Sequence, residues 1–127
     1  MDTKLLGRWG EARAADYLRG KGYKIIGLNY TTRFGEIDII AEWRNVVAFV
    51  EVKLRRNDRF AAAREYVDAA KQAKIVTTAG LWLVQNQTEK QPRFDVIEVY
   101  APQGIATVAP KINHIPNAFQ AREGNHV

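Results

Sequence analysis

The chain has 127 residues, 46% hydrophobic and 26% charged, which suits one ordered domain with a real core and excludes two independent ones. It contains no cysteine, so disulfides, thiolate chemistry and cysteine-ligated zinc are excluded, and a reducing cytosol is the compartment it fits. Much of the +5 net charge lies between Lys53 and Lys74, where seven basic residues face three acidic ones; this is either a stripe for a polyanion or a solvated helix face.

Leu5 to Gly20 reads as a helix, with Leu5, Trp9, Ala12, Ala15 and Leu18 near one face and Glu11 at the edge of that face. Asp2, Lys4, Arg8 and Glu11 break up any apolar run of the signal-peptide kind. The longest uncharged stretch, Ile75 to Gln87, is too short to span a bilayer, so a cytoplasmic protein without membrane contact is expected. Tyr23 to Tyr30 is a first strand. The β-branched runs from Glu36 to Leu54 then form a hairpin around Trp43-Arg44-Asn45. Arg55 to Phe60 is a basic loop, and about Asp68 to Asn86 is the clearest helix, with Ala69, Ala73, Val76 and Leu83 inward. Pro92 precedes a fourth strand, Arg93 to Tyr100, and Ile105 to Ala109 is a short fifth; the segment 111–127 reads as a tail with little core. The order αβββαβ predicts a single α/β domain with a mixed sheet flanked by helices, its third and fourth strands parallel across a helical crossover.

Charge is clustered where a purely structural hairpin would avoid it. With Arg44 and Asn45 at the centre of the turn, paired positions sum to 89, so Asp38 faces Glu51 and Glu36 faces Lys53. Cross-strand neighbours have Cβ atoms roughly 4.5–5.5 Å apart, and like charges there destabilise a sheet. A divalent cation between Asp38 and Glu51 would reverse that sign; bridging of both acids to Lys53 is the structural alternative. Alternation along the strand puts Glu51 and Lys53 on one face. His114 and His126 lack ligand spacing. Trp9 and Trp82 read as core, whereas Trp43 at the hairpin tip is placed to touch DNA or a second subunit.

An acid on the second strand and Glu-x-Lys on the third, in this order of elements, resemble the core of the PD-(D/E)XK nuclease superfamily, which has a restriction-endonuclease-like fold. More closely, Gly10-Glu11 with Ala12 and Ala15, Gly35-Glu36-Ile37-Asp38, Phe49-Val50-Glu51-Val52-Lys53, Lys71-Gln72 and Arg93-Phe94-Asp95-Val96 resemble the YraN-like family of uncharacterised bacterial proteins. That family is similar to archaeal Holliday-junction resolvases. The resemblance implies a nuclease-like domain over residues 1–110. It implies Mg²⁺ (or Mn²⁺) held by Asp38, Glu51 and the main-chain carbonyl of Val52, with Glu11 as an additional acid acting directly or through water. Asp38, Glu51 and Lys53 would be the catalytic set, Lys53 orienting water or neutralising phosphoryl charge. Arg55, Arg56, Arg59, Lys71, Gln72 and Lys74 would contact nucleic acid.

The expected activity is therefore metal-dependent hydrolysis of DNA phosphodiester bonds, at branched or junction DNA by family analogy, with a homodimer implied if two strands are cut symmetrically. A non-catalytic nucleic-acid-binding module, or an interaction protein in repair or recombination, is the alternative.

Overall fold

The computed structural model describes residues 3–56 and 67–121. Helix α1 (Thr3–Gly20) leads into a meander of three strands, β1 (Lys24–Thr32), β2 (Gly35–Trp43) and β3 (Val46–Arg55). Helix α2 (Ala69–Asn86) then returns the chain to β4 (Gln91–Tyr100), and a 3-10 turn over Gly104–Ala106 precedes β5 (Lys111–Phe119). The five strands form one sheet in chain order; β3 and β4 are parallel and all other neighbours antiparallel. This is the mixed α/β sheet that the sequence pattern predicts.

The two helices lie on opposite faces. Ile75, Val76, Ala79 and Trp82 of α2 pack with Val47, Phe49, Phe94 and Val96, whereas Ala14, Ala15 and Leu18 of α1 pack with Ala48, Val50, Ile97 and Val99. Neighbouring residues of β3 and β4 thus serve different cores, as a two-residue repeat requires of a sheet covered on both sides. Helix α1 buries Gly10, Ala14, Ala15 and Leu18, while Ala12 and Leu5 are exposed. Its inward stripe is therefore rotated from the one expected, because a glycine rather than a large residue makes the closest approach. A Cβ on Gly10 would meet Leu54 Cδ2 at 2.8 Å, so the missing side chain lets α1 lie against β3. Helix α2 starts where Asp68 accepts a hydrogen bond from the Lys71 amide, an N-cap that fixes the helix entry.

The hairpin register is as expected over its paired length, from Trp43↔Val46 to Ile39↔Val50, with Arg44 in the left-handed region at the turn (φ 53°). It ends one step before Asp38 and Glu51. Ile37 and Ile40 both pack on the α2 side although they are three residues apart, so β2 changes phase between them, at Asp38. On the other side, β1 passes from Leu28↔Ile39 to Tyr30↔Ile37, and the intervening Asn29 has φ 51°. The expected Glu36–Lys53 pair does not form: Glu36 accepts a hydrogen bond from Thr31 Oγ1 instead, since the β2–β3 ladder no longer holds it opposite Lys53.

The expected strand at Ile105–Ala109 is corrected to the 3-10 turn, and the fifth strand lies within the segment read as a tail. Asp95, fully buried in β4, explains this. It takes Arg93 Nε and Nη2 at 2.8 and 2.7 Å, His114 Nε2 at 2.8 Å and the Asn117 amide at 3.0 Å. Polar residues of β5 thus anchor to a buried acid, and Ile115, Ala118 and Phe119 complete the α2-side core. Trp43 is not a free hairpin tip: it stacks on Tyr23 with ring centroids 5.4 Å apart and lies beneath the Arg44 guanidinium.

Candidate active site

Where β2 and β3 part, the Val52 amide donates to Asp38 Oδ2 at 2.8 Å. The carboxylate has entered the gap that the ladder leaves. In an extended strand the N–H and C=O of one residue face the same neighbour, so the Val52 carbonyl is also directed to this gap. Glu51, on the adjoining position of β3, is 6% exposed and Asp38 is 9% exposed. Two lysines reach Glu51 Oε2: Lys71 Nζ from α2 at 2.6 Å and Lys53 Nζ from its own strand at 3.7 Å.

Positive charge is thus unevenly shared. Glu51 has two ammonium groups; Asp38 has an amide and is surrounded by acids. Burial pushes the Asp38 carboxyl up to about 8, the charge of Glu51 adds to this, the Val52 hydrogen bond opposes it, and Glu11 and Glu36 raise it further. Glu11 is also raised, first by burial, with hydrogen bonds to Asn29 and Asp38 working against the repulsion of Glu36 and Glu51. Burial works to lower the Lys71 ammonium, but the hydrogen bond and charge of Glu51 outweigh it and hold Lys71 above its ordinary value. A centre with surplus carboxylate and too little positive charge is where a hard cation is stabilising.

The donor chemistry fits Mg²⁺. Two carboxylates and a carbonyl leave positions for water and substrate phosphate, the usual Mg²⁺ arrangement. Among the described residues no group of three or more His, Cys, Asp or Glu side chains is arranged to hold a metal ion. Such an ion would therefore rest on Asp38, Glu51 and main chain, with Glu11 hydrogen-bonded to Asp38 beside it.

The structure brings Glu11, Asp38, Glu51, Val52, Lys53 and Lys71 together. Arg55 lies two residues along β3, its Nε 3.1 Å from the buried carboxylate of Glu98; Arg56 is exposed beside it. Lys74 is exposed one turn along α2, and the Gln72 side chain donates to the Val67 carbonyl at 2.9 Å. Arg59 lies outside the described residues.

Sequence reasoning missed two contributors. Asn29 touches Glu11 from the irregular position of β1; an Asn inside a strand, tolerant of positive φ, was the available signal. Glu98 binds Arg55, Tyr100 Oη at 3.1 Å and Asn113 Nδ2 at 2.9 Å. Only the parallel register Lys53↔Glu98 reveals its place beside the site.

The fold and site define a class of small α/β proteins whose mixed sheet parts to gather acids and lysines. The chain belongs to the uncharacterised protein family UPF0102, the YraN-like family, which matches residues 10–99. A UPF0102 protein of Caldanaerobacter subterraneus subsp. tengcongensis is 46% identical over 120 residues, covering 94% of this chain and 98% of that one. One from Clostridioides difficile strain 630 is 43% identical over 120 residues, 94% of this chain and 100% of its own. A third, from Vibrio parahaemolyticus, is 42% identical over 97 residues, 75% of this chain and 80% of that protein. The matched span begins at Gly10 and so includes the whole cluster from Glu11 to Lys71.

Proposed function

We propose that this protein is a Mg²⁺-dependent endonuclease that hydrolyses phosphodiester bonds in DNA, acting in the cytoplasm. The observation that carries this reading is the parted β2–β3 ladder, which buries Asp38 beside Glu51 with a backbone amide, rather than a cation, against Asp38. A pure nucleic-acid binder gains nothing from buried acids that repel phosphate.

A bound Mg²⁺ would polarise the scissile phosphate and lower the pKa of a coordinated water. Asp38, Glu51 and the Val52 carbonyl would hold it. Lys53, 3.7 Å from Glu51 Oε2, orients the attacking water or meets charge growing on the phosphoryl oxygens. Lys71 approaches from the α2 side, and its side chain is half exposed, so it faces both Glu51 and an incoming phosphate. Glu11 adds an acid at the rim. Arg55, held by Glu98, and Arg56 extend positive charge past the end of β3. Branched or junction DNA is the proposed substrate; symmetric cleavage would require two copies of the chain.

One observation favours a second reading, a non-catalytic nucleic-acid or interaction module. The two ammonium groups on Glu51 already satisfy that acid without metal. Cleavage of labelled four-way junction, fork, flap, single-stranded and duplex DNA with Mg²⁺ or Mn²⁺ separates the two. Activity lost with chelator and in Glu51→Gln supports the nuclease. Equal activity in both proteins refutes this site, and salt-sensitive binding without turnover supports the module.

A further inference from the structure

The turn between β1 and β2 carries an aromatic side chain that the core does not use. Phe34 is 41% exposed and belongs to neither apolar cluster, and the Arg33 guanidinium lies over its ring, 4.8 Å from the centroid. The turn is held in place from below. Phe34 donates its amide to Thr32 Oγ1 at 3.1 Å, and Gly35 sits so close to α2 that a Cβ there would meet Thr78 Oγ1 at 3.2 Å and Lys74 Cβ at 3.4 Å. A cavity of about 270 Å³ opens between Gly35–Glu36 and the first turns of α2, lined by Lys71, Lys74 and Ile75.

Three features of this groove converge on one occupant. It is continuous with the acid cluster, because Lys71 lines it and also contacts Glu51. Its volume is near the lower end of the roughly 300–1,000 Å³ typical of ligand pockets, room for one unit of a polymer passing through. Its charge is also net positive. The lining carries two exposed acids, Asp68, which caps the Lys71 amide, and Glu36, which accepts from Thr31. Exposed Lys71 and Lys74 in the lining, with exposed Arg33 two residues before Gly35, leave an excess of one positive charge. Phe34 adjoins the lining residue Gly35, whose added Cβ would lie 3.4 Å from Lys74 Cβ. An exposed aromatic ring next to a cationic groove can stack an unpaired base while the groove holds its phosphate.

We propose that the groove between the Arg33–Phe34 turn and α2 receives a single-stranded segment of nucleic acid flanking the cleaved bond. One unpaired base stacks on Phe34 and the adjoining phosphate lies on Lys74. The assignment rests on the nuclease reading and narrows its substrate to DNA with unpaired nucleotides next to a duplex. Base pairs inside a duplex are stacked on both faces and cannot offer one to Phe34.

Fluorescence anisotropy tests this, with calcium in place of magnesium, on a blunt duplex and on the same duplex carrying a single-stranded tail at either end. Wild type binds the tailed form more tightly. Phe34→Ala weakens that complex roughly 5- to 100-fold, leaves the blunt one unchanged, and Phe34→Trp keeps the preference. Phe34→Leu, an apolar substitution at an exposed position, loses the preference while melting like wild type. Lys74→Gln weakens the tailed complex more than the blunt one and lowers the salt dependence of the tailed complex. If Phe34→Ala binds both duplexes as wild type does, the groove assignment is overturned and the nuclease reading stands. If wild type binds no DNA, both are overturned.

Discussion

Replacing Asp38 with asparagine keeps the shape of the side chain and an oxygen for the Val52 amide, but removes an ionisation that burial and Glu51 oppose. In the folded protein Asp38 retains its proton to about pH 8, whereas the unfolded chain releases it near 3.8. The folded state therefore binds more protons between these values, and wild-type stability falls as pH rises from about 4 to about 8. At pH 7 the penalty is at most about 4 kcal/mol, since each pH unit above 3.8 contributes roughly 1.4 kcal/mol. Relaxation of the site and the weaker neutral hydrogen bond of asparagine reduce the gain to about 2 kcal/mol. For a chain of this size that raises Tm by about 6–10 °C. Thermal melts in chelator at several pH values measure it: Asp38→Asn should melt well above wild type at pH 7.5 and close to it at pH 4.5. Added Mg²⁺ should then raise the wild-type Tm with concentration and affect the variant much less. A variant that melts below wild type at pH 7.5, or by the same margin at both pH values, would refute the electrostatic account of the site.

Lys71→Gln removes the ammonium nearest Glu51 and should lower metal-dependent cleavage about 100-fold, with a stability change under about 1 kcal/mol because the lysine is half exposed. Gly10→Ala adds about 1 kcal/mol of helix propensity but drives a Cβ into Leu54, so a net loss of about 1 kcal/mol by denaturant titration is expected. Leu54→Val in the same chain should recover it. Asp95 is held below its ordinary pKa: burial raises it, but hydrogen bonds from His114, Arg93 and Asn117 outweigh burial. Its contribution is present above about pH 4 and is lost on acidification below 3.8; Asp95→Asn should cost about 3 kcal/mol at pH 7 and flatten the acid limb of the stability profile. Ala109 has φ 50°, a left-handed conformation that costs an L-residue about 1 kcal/mol, so Ala109→Gly should leave Tm unchanged or raise it slightly.

The order of elements and the hairpin register from Trp43↔Val46 to Ile39↔Val50 were legible because each is local. The expected pairing of Asp38 with Glu51 lies one step past the end of that ladder, and Asp38 accepts from the Val52 amide instead. Alternation within β3 and a two-residue turn at Arg44-Asn45 leave few other registers. What was not legible depended on distant partners. Lys71 reads as a nucleic-acid contact at the start of a helix or as one cation of its solvated surface, and only the packing of α2 over the sheet brings it to Glu51. The inward face of α1 is misplaced when large side chains are weighted over Gly10, whose contribution is a missing Cβ. Lys111 to Phe119 reads as a tail because its polar residues obscure a strand pattern; their partner is Asp95, buried in another strand. Asn29 and Asp38 show the same limit in the site itself, since a phase change in β2 cannot be seen in a simple two-residue repeat.

The outer strands bear on how copies of this chain can meet. β1 is interrupted by a register shift between Ile25 and Gly27 and by the left-handed Asn29; β5 contains Pro116 and the left-handed Asn117, whose amide turns inward to Asp95. A regular row of free amides and carbonyls is what lets one sheet add to another, and neither border offers one. Self-association through a continuous intermolecular sheet is therefore disfavoured at both ends, which protects a five-stranded sheet from fibre-like growth. Two copies brought together on a branched substrate would have to meet through helices, loops or the DNA itself.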